Sequence, residues 1–236
     1  MPSKTCFVIG TDTGIGKTLV TASLCAALVK RGVKAGAFKP VESGCSRGPR
    51  GLTRHLRRGD SLFLKKMAAM KEPLDAINPY FFREAVAPGI AAERLGSRIS
   101  FSRIKQKLDA LRKNYDLVFV EGAGGLLVPI SGLKTNLDLI KHLKSPVLLV
   151  SRLGLGTINH TLLTLEELKR HRIRLAGVIL NQTTSRTGVA EKTNPAVLKK
   201  FKVPVVGLFP FLKNRRRKTL ISAVEKNLLR FLDRLA

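Results

Sequence analysis

The sequence predicts an α/β protein with a mostly parallel, doubly wound central sheet and helices on both of its faces. Short apolar runs of the kind found in buried strands alternate with segments that have a helical pattern. The strand-like runs are residues 5–9, 35–38, 117–120, 146–150, 176–180 and 203–208. The helical segments are residues 17–31, 60–70, 101–113, 136–143, 159–171 and 220–235. Strand alternating with helix favours parallel strands joined by helical crossovers.

Length and composition are those of one well-buried domain, which is expected to span residues 1–236. The chain has 236 residues, and 44% of them are hydrophobic, which excludes a disordered chain. No apolar run approaches the ~20 residues of a membrane-spanning helix, and the N-terminus has no signal-peptide pattern. The cysteines Cys6, Cys25 and Cys45 are widely spaced and odd in number, so we expect reduced, buried thiols. These features predict a cytoplasmic protein without a membrane partner.

A glycine-rich segment, residues 10–18 (GTDTGIGKT), lies directly between the first strand-like run and the first helical segment. In that position, backbone N–H groups and the positive end of the helix dipole bind a phosphate. Lys17 would reach the outer phosphates, and the Thr18 hydroxyl would bind Mg²⁺. Thr11 stands where the usual pattern has its first glycine, and a glycine turn with a surface lysine is the alternative interpretation. The pattern predicts a single-domain P-loop NTPase-like fold.

Two later strand-like runs are also followed by polar residues. Lys39 follows the second run, with Ser43 close behind it, and Glu121 follows the third run in a glycine-rich turn, residues 121–125. Because ligands gather at the carboxyl ends of parallel strands, we expect these residues near the P-loop. A carboxylate in that place would bind Mg²⁺ directly or through water, although a Glu-Gly turn is the simpler alternative.

Two stretches are predicted to be irregular. Residues 40–59 form a Gly- and Arg-rich loop, and residues 72–98 form a long excursion with at most short helices. Long loops in compact domains are often functional, and a peripheral insertion is the alternative.

The charge of the chain is strongly positive. Its 43 Lys and Arg against 16 Asp and Glu give a net charge of +27, with basic clusters at residues 47–58 and 213–218. Such a balance is typical of nucleic-acid binders, but two Tyr and no Trp supply few stacking groups. We therefore expect non-specific binding of polyanions by a basic surface.

Four segments taken together, residues 10–18, 39–44, 121–125 and 156–160, resemble dethiobiotin synthetase, the ATP-dependent cyclo-ligase family of biotin biosynthesis. The resemblance extends to about residue 212. It implies that CO₂ adds to an amine of 7,8-diaminononanoate and that ATP phosphorylates the resulting carbamate. The second amine then closes the ureido ring, which leaves dethiobiotin, ADP and phosphate. The family also implies Mg²⁺ and a homodimer with the substrate site at the subunit interface.

The resemblance further implies roles for single residues. Lys39 and Lys17 would stabilise the transferring phosphoryl group, and the hydroxyls of Thr11 and Ser43 would contact the carbamate or the diamine. The implied nucleotide-binding residues are Asp12, Thr13, Gly14, Ile15, Gly16, Lys17, Thr18, Glu121, Asn181 and Pro210. The implied substrate-binding residues are Ser43, Gly156, Thr157 and Asn159. The implied Mg²⁺ ligands are Thr18, Asp60 and Glu121.

Simpler structural roles stay open for several of these residues. Asp60, Thr157 and Asn159 would also suit helix caps or first turns, and Asn181 would suit a turn after its strand.

The principal rival is a partition-type, DNA-associated P-loop ATPase, which would explain the positive charge. Such ATPases carry a second lysine early in the loop, whereas this chain has Asp12 there and Lys39 after the second strand. An amidotransferase-type synthetase would need a nucleophilic cysteine in a glutaminase region, for which the chain has little room. The lysine pattern favours the synthetase.

Overall fold

The computed structural model of the protein describes residues 4–47 and 56–235. In chain order its elements are β1 (Lys4–Gly10), α1 (Lys17–Lys30), β2 (Ala35–Phe38), β3 (Val41–Glu42), β4 (Ser46–Arg47), β5 (Leu56–Arg57), α2 (Gly59–Met67), α3 (Leu74–Ile77), β6 (Tyr80–Phe81), α4 (Pro88–Arg94), α5 (Phe101–Arg112), β7 (Leu117–Gly125), β8 (Pro129–Ser131), β9 (Lys134–Thr135), α6 (Asn136–Leu143), β10 (Val147–Arg152), α7 (Thr157–Arg170), β11 (Leu175–Asn181), α8 (Val189–Lys200), β12 (Val205–Phe209), α9 (Arg217–Asn227) and α10 (Leu229–Leu235).

The central sheet has six strands in the spatial order β12-β11-β10-β1-β7-β2. Every adjacent pair in it is parallel. Each predicted strand falls in this sheet, so the predicted parallel α/β architecture is confirmed. The chain proceeds from β1 to one edge of the sheet first and to the other edge later. Ligands of such sheets bind at the carboxyl ends of the strands beside this reversal.

The central strands are apolar because helices cover both of their faces. Residues 7–9 and 118–120 are fully buried, as are residues 147–150 of β10. Helix α1 packs against α2 and α9, while α5 packs against α6 and α7 against α8. Right-handed crossovers place these two groups of helices on opposite faces of the sheet. The apolar burial, at roughly 25 cal/mol per Å², is the main stabilising contribution to this three-layer core.

Three elements differ from the sequence prediction. Helix α8 was not predicted, since its sequence is polar and contains Pro195. It is held by Asn194, whose Nδ2 donates to the carbonyl oxygens of Leu153 and Gly154, each at 3.0 Å. The predicted helix over residues 220–235 is two helices, because the chain bends at Leu228.

The third difference concerns the glycine-rich segment after the third strand. Residues 121–125 were predicted to form a turn, but β7 continues through them to Gly125. The correction has a local cause, because Gly10 at the end of β1 pairs with Gly125 after a register shift. The small residues let the two backbones stay close at the edge of the site.

The two irregular stretches agree with the prediction as far as they are described. Residues 72–98 hold only the short elements α3, β6 and α4. The loop of residues 40–59 contains three short strands, and the basic cluster at residues 47–58 lies largely outside the described residues.

The cysteines also agree with the sequence prediction. Cys6, Cys25 and Cys45 are free and buried. Burial raises the pKa of the Cys6 thiol to about 12 and that of Cys45 to about 11, so these thiols are protonated at neutral pH. No helix within the described ranges is long and apolar enough to cross a membrane.

Candidate active site

The P-loop connects the end of β1 to the first residue of α1, Lys17. Gly14 and Gly16 have φ angles of 72° and 88°, in the left-handed region that favours glycine. At Gly16 a Cβ atom would also lie 2.2 Å from Nδ2 of Asn181. No side chain of the described residues caps α1. Its first amides are therefore free to bind an anion.

A cleft of about 630 Å³ opens beside the P-loop, over the carboxyl ends of β1, β2 and β7. Its size suits a small-molecule ligand. The structure brings a large part of the predicted site together in its walls. The predicted site residues that line it are Thr13, Gly14, Gly16, Lys17, Thr18, Lys39, Ser43, Asp60 and Glu121.

An ion cluster of Lys39, Asp60 and Glu121 forms the floor of this cleft. The Nζ atom of Lys39 lies 2.5 Å from Oδ2 of Asp60 and 2.6 Å from Oε1 of Glu121. The pairing of β2 with β7 explains the second contact, because Phe38 lies opposite Val120 and the next residues meet. Thr18 Oγ1 donates to the same Glu121 oxygen at 2.6 Å. Three separate parts of the chain thus meet around one lysine.

The opposite charges of the cluster stabilise the ionised forms of its side chains. Burial disfavours the ammonium form of Lys39, but the carboxylates of Glu121 and Asp60 outweigh burial and raise the pKa of Lys39. Burial also disfavours the carboxylate form of Asp60, yet the nearby Lys39 ammonium lowers the pKa of Asp60 below its usual value. Both groups are therefore charged at neutral pH.

Lys17 is held differently from Lys39. Its Nζ donates to the carbonyl oxygen of Asp12 at 2.9 Å, and it has no ion pair with any described residue. Burial lowers the pKa of Lys17 to about 8, although the Glu121 carboxylate partly opposes this shift. A phosphate that displaced the carbonyl would give this ammonium its counter-ion.

The residues around Glu121 fit a divalent cation. Its Oε2 atom is buried and has no hydrogen-bond partner among the described residues. An unpaired carboxylate oxygen in the interior costs free energy unless a cation or a donor satisfies it. Together with the Thr18 hydroxyl and the Asp60 carboxylate, it offers the hard oxygen ligands that Mg²⁺ prefers. No group of three or more His, Cys, Asp or Glu side chains in the described ranges could hold a metal. Phosphate oxygens and water would have to complete the coordination.

Glu42 is a site residue that the sequence reasoning missed. It is buried in the wall of the cleft and accepts from the backbone N–H groups of Asp60 and Ser61, each at 3.0 Å. The Ser61 hydroxyl also donates to it. Glu42 thereby caps the start of α2 and sets the position of Asp60. A sequence signal exists, since Glu42 is the last acid before the arginine-rich loop that leads to α2.

Other predicted site residues lie outside the walls of this cleft. Thr11 and Asp12 line a neighbouring cleft of about 420 Å³ between the P-loop, α7 and the segment after β7. Gly156 is the N-cap of α7 with a φ of 86°, and Thr157 is buried with its hydroxyl 2.7 Å from Oγ of Ser151. Asn159 is exposed in the first turn of α7. Residues 156–159 therefore lie on the other side of β1 from the ion cluster.

The remaining predicted nucleotide-binding residues surround the start of α1 and the end of β12. The side chain of Ile15 is in the core, and its carbonyl accepts from Nδ2 of Asn181 at 2.6 Å. Oδ1 of Asn181 is buried without a partner in the described part of the chain. Pro210 directly follows β12 and is half-buried. None of these three is among the residues that line the main cleft.

Solved structures show the same fold at low sequence identity. The MinC:MinD cell division protein complex of Aquifex aeolicus matches with a TM-score of 0.58 and 16% identity, over 99% of this chain and 96% of that chain. A ParA family ATPase from Chlorobium tepidum matches with a TM-score of 0.53 and 16% identity, over 95% of this chain and 92% of that chain. At this identity the likeness concerns the fold alone, and it confirms the predicted P-loop NTPase-like class.

Sequence comparisons are more specific. A family model described as an AAA domain matches residues 4–219. The ATP-dependent dethiobiotin synthetase BioD of Thermodesulfovibrio yellowstonii is 39% identical over 230 residues, which cover 94% of this chain and 94% of the relative. The protein of that name from Bacillus velezensis is 36% identical over 94% of this chain and 93% of its own. The one from Methanocaldococcus jannaschii is 39% identical, over 86% of this chain and 92% of its own.

The family model spans every strand of the central sheet and the P-loop, and the 36–39% identity of these relatives is well above the 16% of the two solved structures. The resemblance that the four sequence segments indicated is thereby confirmed. The chain belongs to the ATP-dependent dethiobiotin synthetase family.

Proposed function

We propose that this protein forms dethiobiotin from 7,8-diaminononanoate, CO₂ and ATP. The observation that carries the proposal is the pair of buried lysines, Lys17 and Lys39, which face one cleft in a chain of this family. Two ammonium groups around a transferring phosphoryl group supply the electrostatic stabilisation that this chemistry needs. Partition-type ATPases were expected to carry their second lysine within the loop, where this chain has Asp12.

The proposed reaction has three bond-forming steps. An amine of the diamine attacks CO₂ and loses a proton, which gives a carbamate. A carbamate oxygen then attacks the γ-phosphorus of ATP, and ADP leaves. The second amine attacks the carbonyl carbon of this mixed anhydride, loses a proton and expels phosphate as the ureido ring closes. Lys17 and Lys39 balance the negative charge of the triphosphate and the carbamate during the second step.

The residues that would hold Mg²⁺ are Thr18, Glu121 and Asp60. When bound, the ion neutralises charge on the phosphate oxygens. In the structure Lys39 bridges the two carboxylates at 2.5 and 2.6 Å. The ammonium is thus already fixed by two partners and needs little reorganisation when the phosphates arrive.

We further propose a homodimer in which residues 156–159 of one subunit reach the substrate held by the other. This arrangement would bring the predicted substrate residues Gly156, Thr157 and Asn159 to the partner's cleft. Leu127, Leu155 and Leu163 support it, because their exposed fractions are 60%, 87% and 62% in the single chain. Exposed apolar residues of this size are typical of protein interfaces. Light scattering with size-exclusion chromatography tests the dimer, and Leu155→Glu is expected to shift the mass towards the monomer.

The basic surface is proposed to bind polyanions without sequence preference and without a role in catalysis. Residues 213–218 are exposed and follow β12. Nucleic acid retained in this way should be released steeply as salt rises, while turnover changes little. A sequence-specific complex that persisted at high salt would contradict the proposal. The proposed location of the enzyme is the cytoplasm.

The decisive experiment measures ADP release by nuclease-treated protein with Mg·ATP and bicarbonate, with and without 7,8-diaminononanoate. We expect ADP release to depend strictly on the diamine and dethiobiotin to accumulate in equal amount. Diamine-independent hydrolysis that rises when DNA is added would overturn the proposal in favour of a DNA-associated ATPase.

A further inference from the structure

Arg152 has a defined place beside the P-loop that none of the steps above uses. It is the last residue of β10, where it lies opposite Asn181 at the end of β11. Its Nη2 atom donates to Oδ2 of Asp12 at 3.0 Å. The ion pair therefore connects the carboxyl end of a central strand to Asp12 in the phosphate-binding loop.

Asp12 is bonded at three atoms. Its Oδ1 accepts from the backbone N–H of Thr13 at 2.7 Å, and its Oδ2 accepts from Arg152. Its carbonyl oxygen accepts from Nζ of Lys17 at 2.9 Å. The position of Asp12 thus determines both the turn of the loop and the resting position of the Lys17 ammonium.

The position of the Arg152 guanidinium is unfavourable for one of its nitrogen atoms. Its Nε atom is buried and has no acceptor among the described residues. A buried donor without a partner is unfavourable, and such groups in native structures are often found where function requires them. The ion pair itself is half-exposed, with side-chain exposures of 38% for Arg152 and 49% for Asp12. Pairs of this kind contribute little to folding stability, so stability alone gives a weak reason for this arrangement.

We propose that Arg152 is a positioning residue for the nucleotide, acting through its ion pair with Asp12 on the phosphate-binding loop. With the pair intact, the loop is already in the shape that presents its amides and Lys17 to the triphosphate. Without it, part of the binding free energy is spent on ordering the loop. The inference rests on the nucleotide site of the proposed function and on no later step of the reaction.

The test is a double-mutant cycle on nucleotide binding. The variants are Arg152→Ala, Asp12→Ala and the combination, and the measurement is the Kd of a non-hydrolysable ATP analogue with Mg²⁺ by calorimetry. Each single variant is expected to bind about tenfold more weakly, and the double variant no more weakly than either single one. Arg152→Lys should recover part of the affinity, because it keeps the charge but not the planar fork.

Steady-state kinetics distinguishes nucleotide positioning from a purely structural role, because only nucleotide positioning changes the KM for ATP without changing kcat. The KM for ATP is expected to rise about tenfold, while kcat stays within about twofold of the wild type, because Arg152 does not touch the reacting atoms.

A matched control exists at the other end of α1. Arg31 pairs with Asp233 at 2.7 Å, and their side-chain exposures of 34% and 51% are close to those of the Arg152 pair. Arg31→Ala removes an equivalent ion pair and the same charge far from the P-loop. We expect it to change the melting temperature as much as Arg152→Ala does, but to leave the Kd of the analogue unchanged.

Two outcomes would overturn the role of Arg152 while leaving the proposed function intact. One is wild-type affinity in Arg152→Ala and in Asp12→Ala. The other is an additive loss in the double variant, which would mean that Arg152 does not act through Asp12. A wild-type protein that bound no Mg·ATP would overturn the nucleotide site itself.

Discussion

The polar groups on the two sides of β1 are built from different chemistry. Towards β7 and β2, Lys39 bridges the carboxylates of Glu121 and Asp60. Towards β10, beside the Arg152–Asp12 ion pair, the buried cluster consists of hydroxyl groups, and Oγ of Ser151 lies 2.7 Å from the hydroxyl oxygens of both Thr157 and Thr161. Both clusters lie at the carboxyl ends of the strands, so this placement alone does not show which of them binds a ligand.

The difference lies in what each cluster leaves unsatisfied. The charged cluster keeps one buried atom, Oε2 of Glu121, without a partner in the described residues. The buried hydroxyls of Ser151, Thr157 and Thr161 all have partners within their own cluster, and Oγ of Ser151 also lies 3.4 Å from the hydroxyl oxygen of Thr11. A buried polar group that lacks a partner is free for a ligand, whereas a satisfied hydrogen-bond network stabilises the fold. We infer that the metal and phosphoryl chemistry belongs to the charged cluster and that the hydroxyl cluster holds α7, with residues 156–159, against β10.

The largest expected effect separates catalysis from folding. Lys39→Ala should lower kcat for dethiobiotin formation by about 10²–10³-fold or more, because no other described group could replace its charge at the transferring phosphoryl group. The control is Lys34→Ala, which removes an exposed lysine just before the start of β2. A kcat near that of the wild type in Lys39→Ala would remove this lysine from the proposed chemistry.

The next effect concerns the metal. Glu121→Gln keeps the size of the side chain but removes the charge that would face Mg²⁺, so the Mg²⁺ concentration for half-maximal activity should rise about tenfold or more. Titration of activity with Mg²⁺ at saturating ATP measures it. Glu225→Gln, which removes a carboxylate paired with Lys30, is the control. An unchanged metal requirement would exclude Glu121 as a ligand.

A substitution in the hydroxyl cluster should lower the free energy of unfolding rather than alter the metal requirement. Ser151→Ala leaves the hydroxyls of Thr157 and Thr161 without their shared partner, and we expect a loss of about 1–3 kcal/mol in the free energy of unfolding. Urea denaturation followed by circular dichroism measures this loss. The Mg²⁺ requirement should stay as in the wild type. A change in the Mg²⁺ requirement would show that the hydroxyl cluster also affects metal binding.

The smallest expected effect is at the solvent-exposed end of the charged cluster. The Asp60 side chain is 48% exposed, whereas that of Glu121 is fully buried. Water screens its interaction with a cation, so Asp60→Asn should raise the Mg²⁺ requirement only about threefold. An effect as large as that of Glu121→Gln would show that exposure does not rank these ligands.

Local patterns were sufficient for most of the architecture. The apolar runs coincide with β1, β2, β7, β10, β11 and β12, because a strand buried on both faces must be apolar throughout. Helix α8 escaped prediction because its stability comes from contacts such as that of Asn194 with Leu153, which a pattern of polar residues does not reveal. Glu42 escaped for a similar reason, since its partners lie on α2 beyond a long loop.

By itself, the sequence determined the parallel α/β class, the P-loop and the family, because these depend on neighbouring residues along the chain. Only the tertiary structure decided which charges meet. Lys39 contacts carboxylates that are 21 and 82 positions away, and Arg152 contacts Asp12 from 140 positions away. Strand order and register set those contacts, and both are decided by the burial of whole strands rather than by any residue of the site.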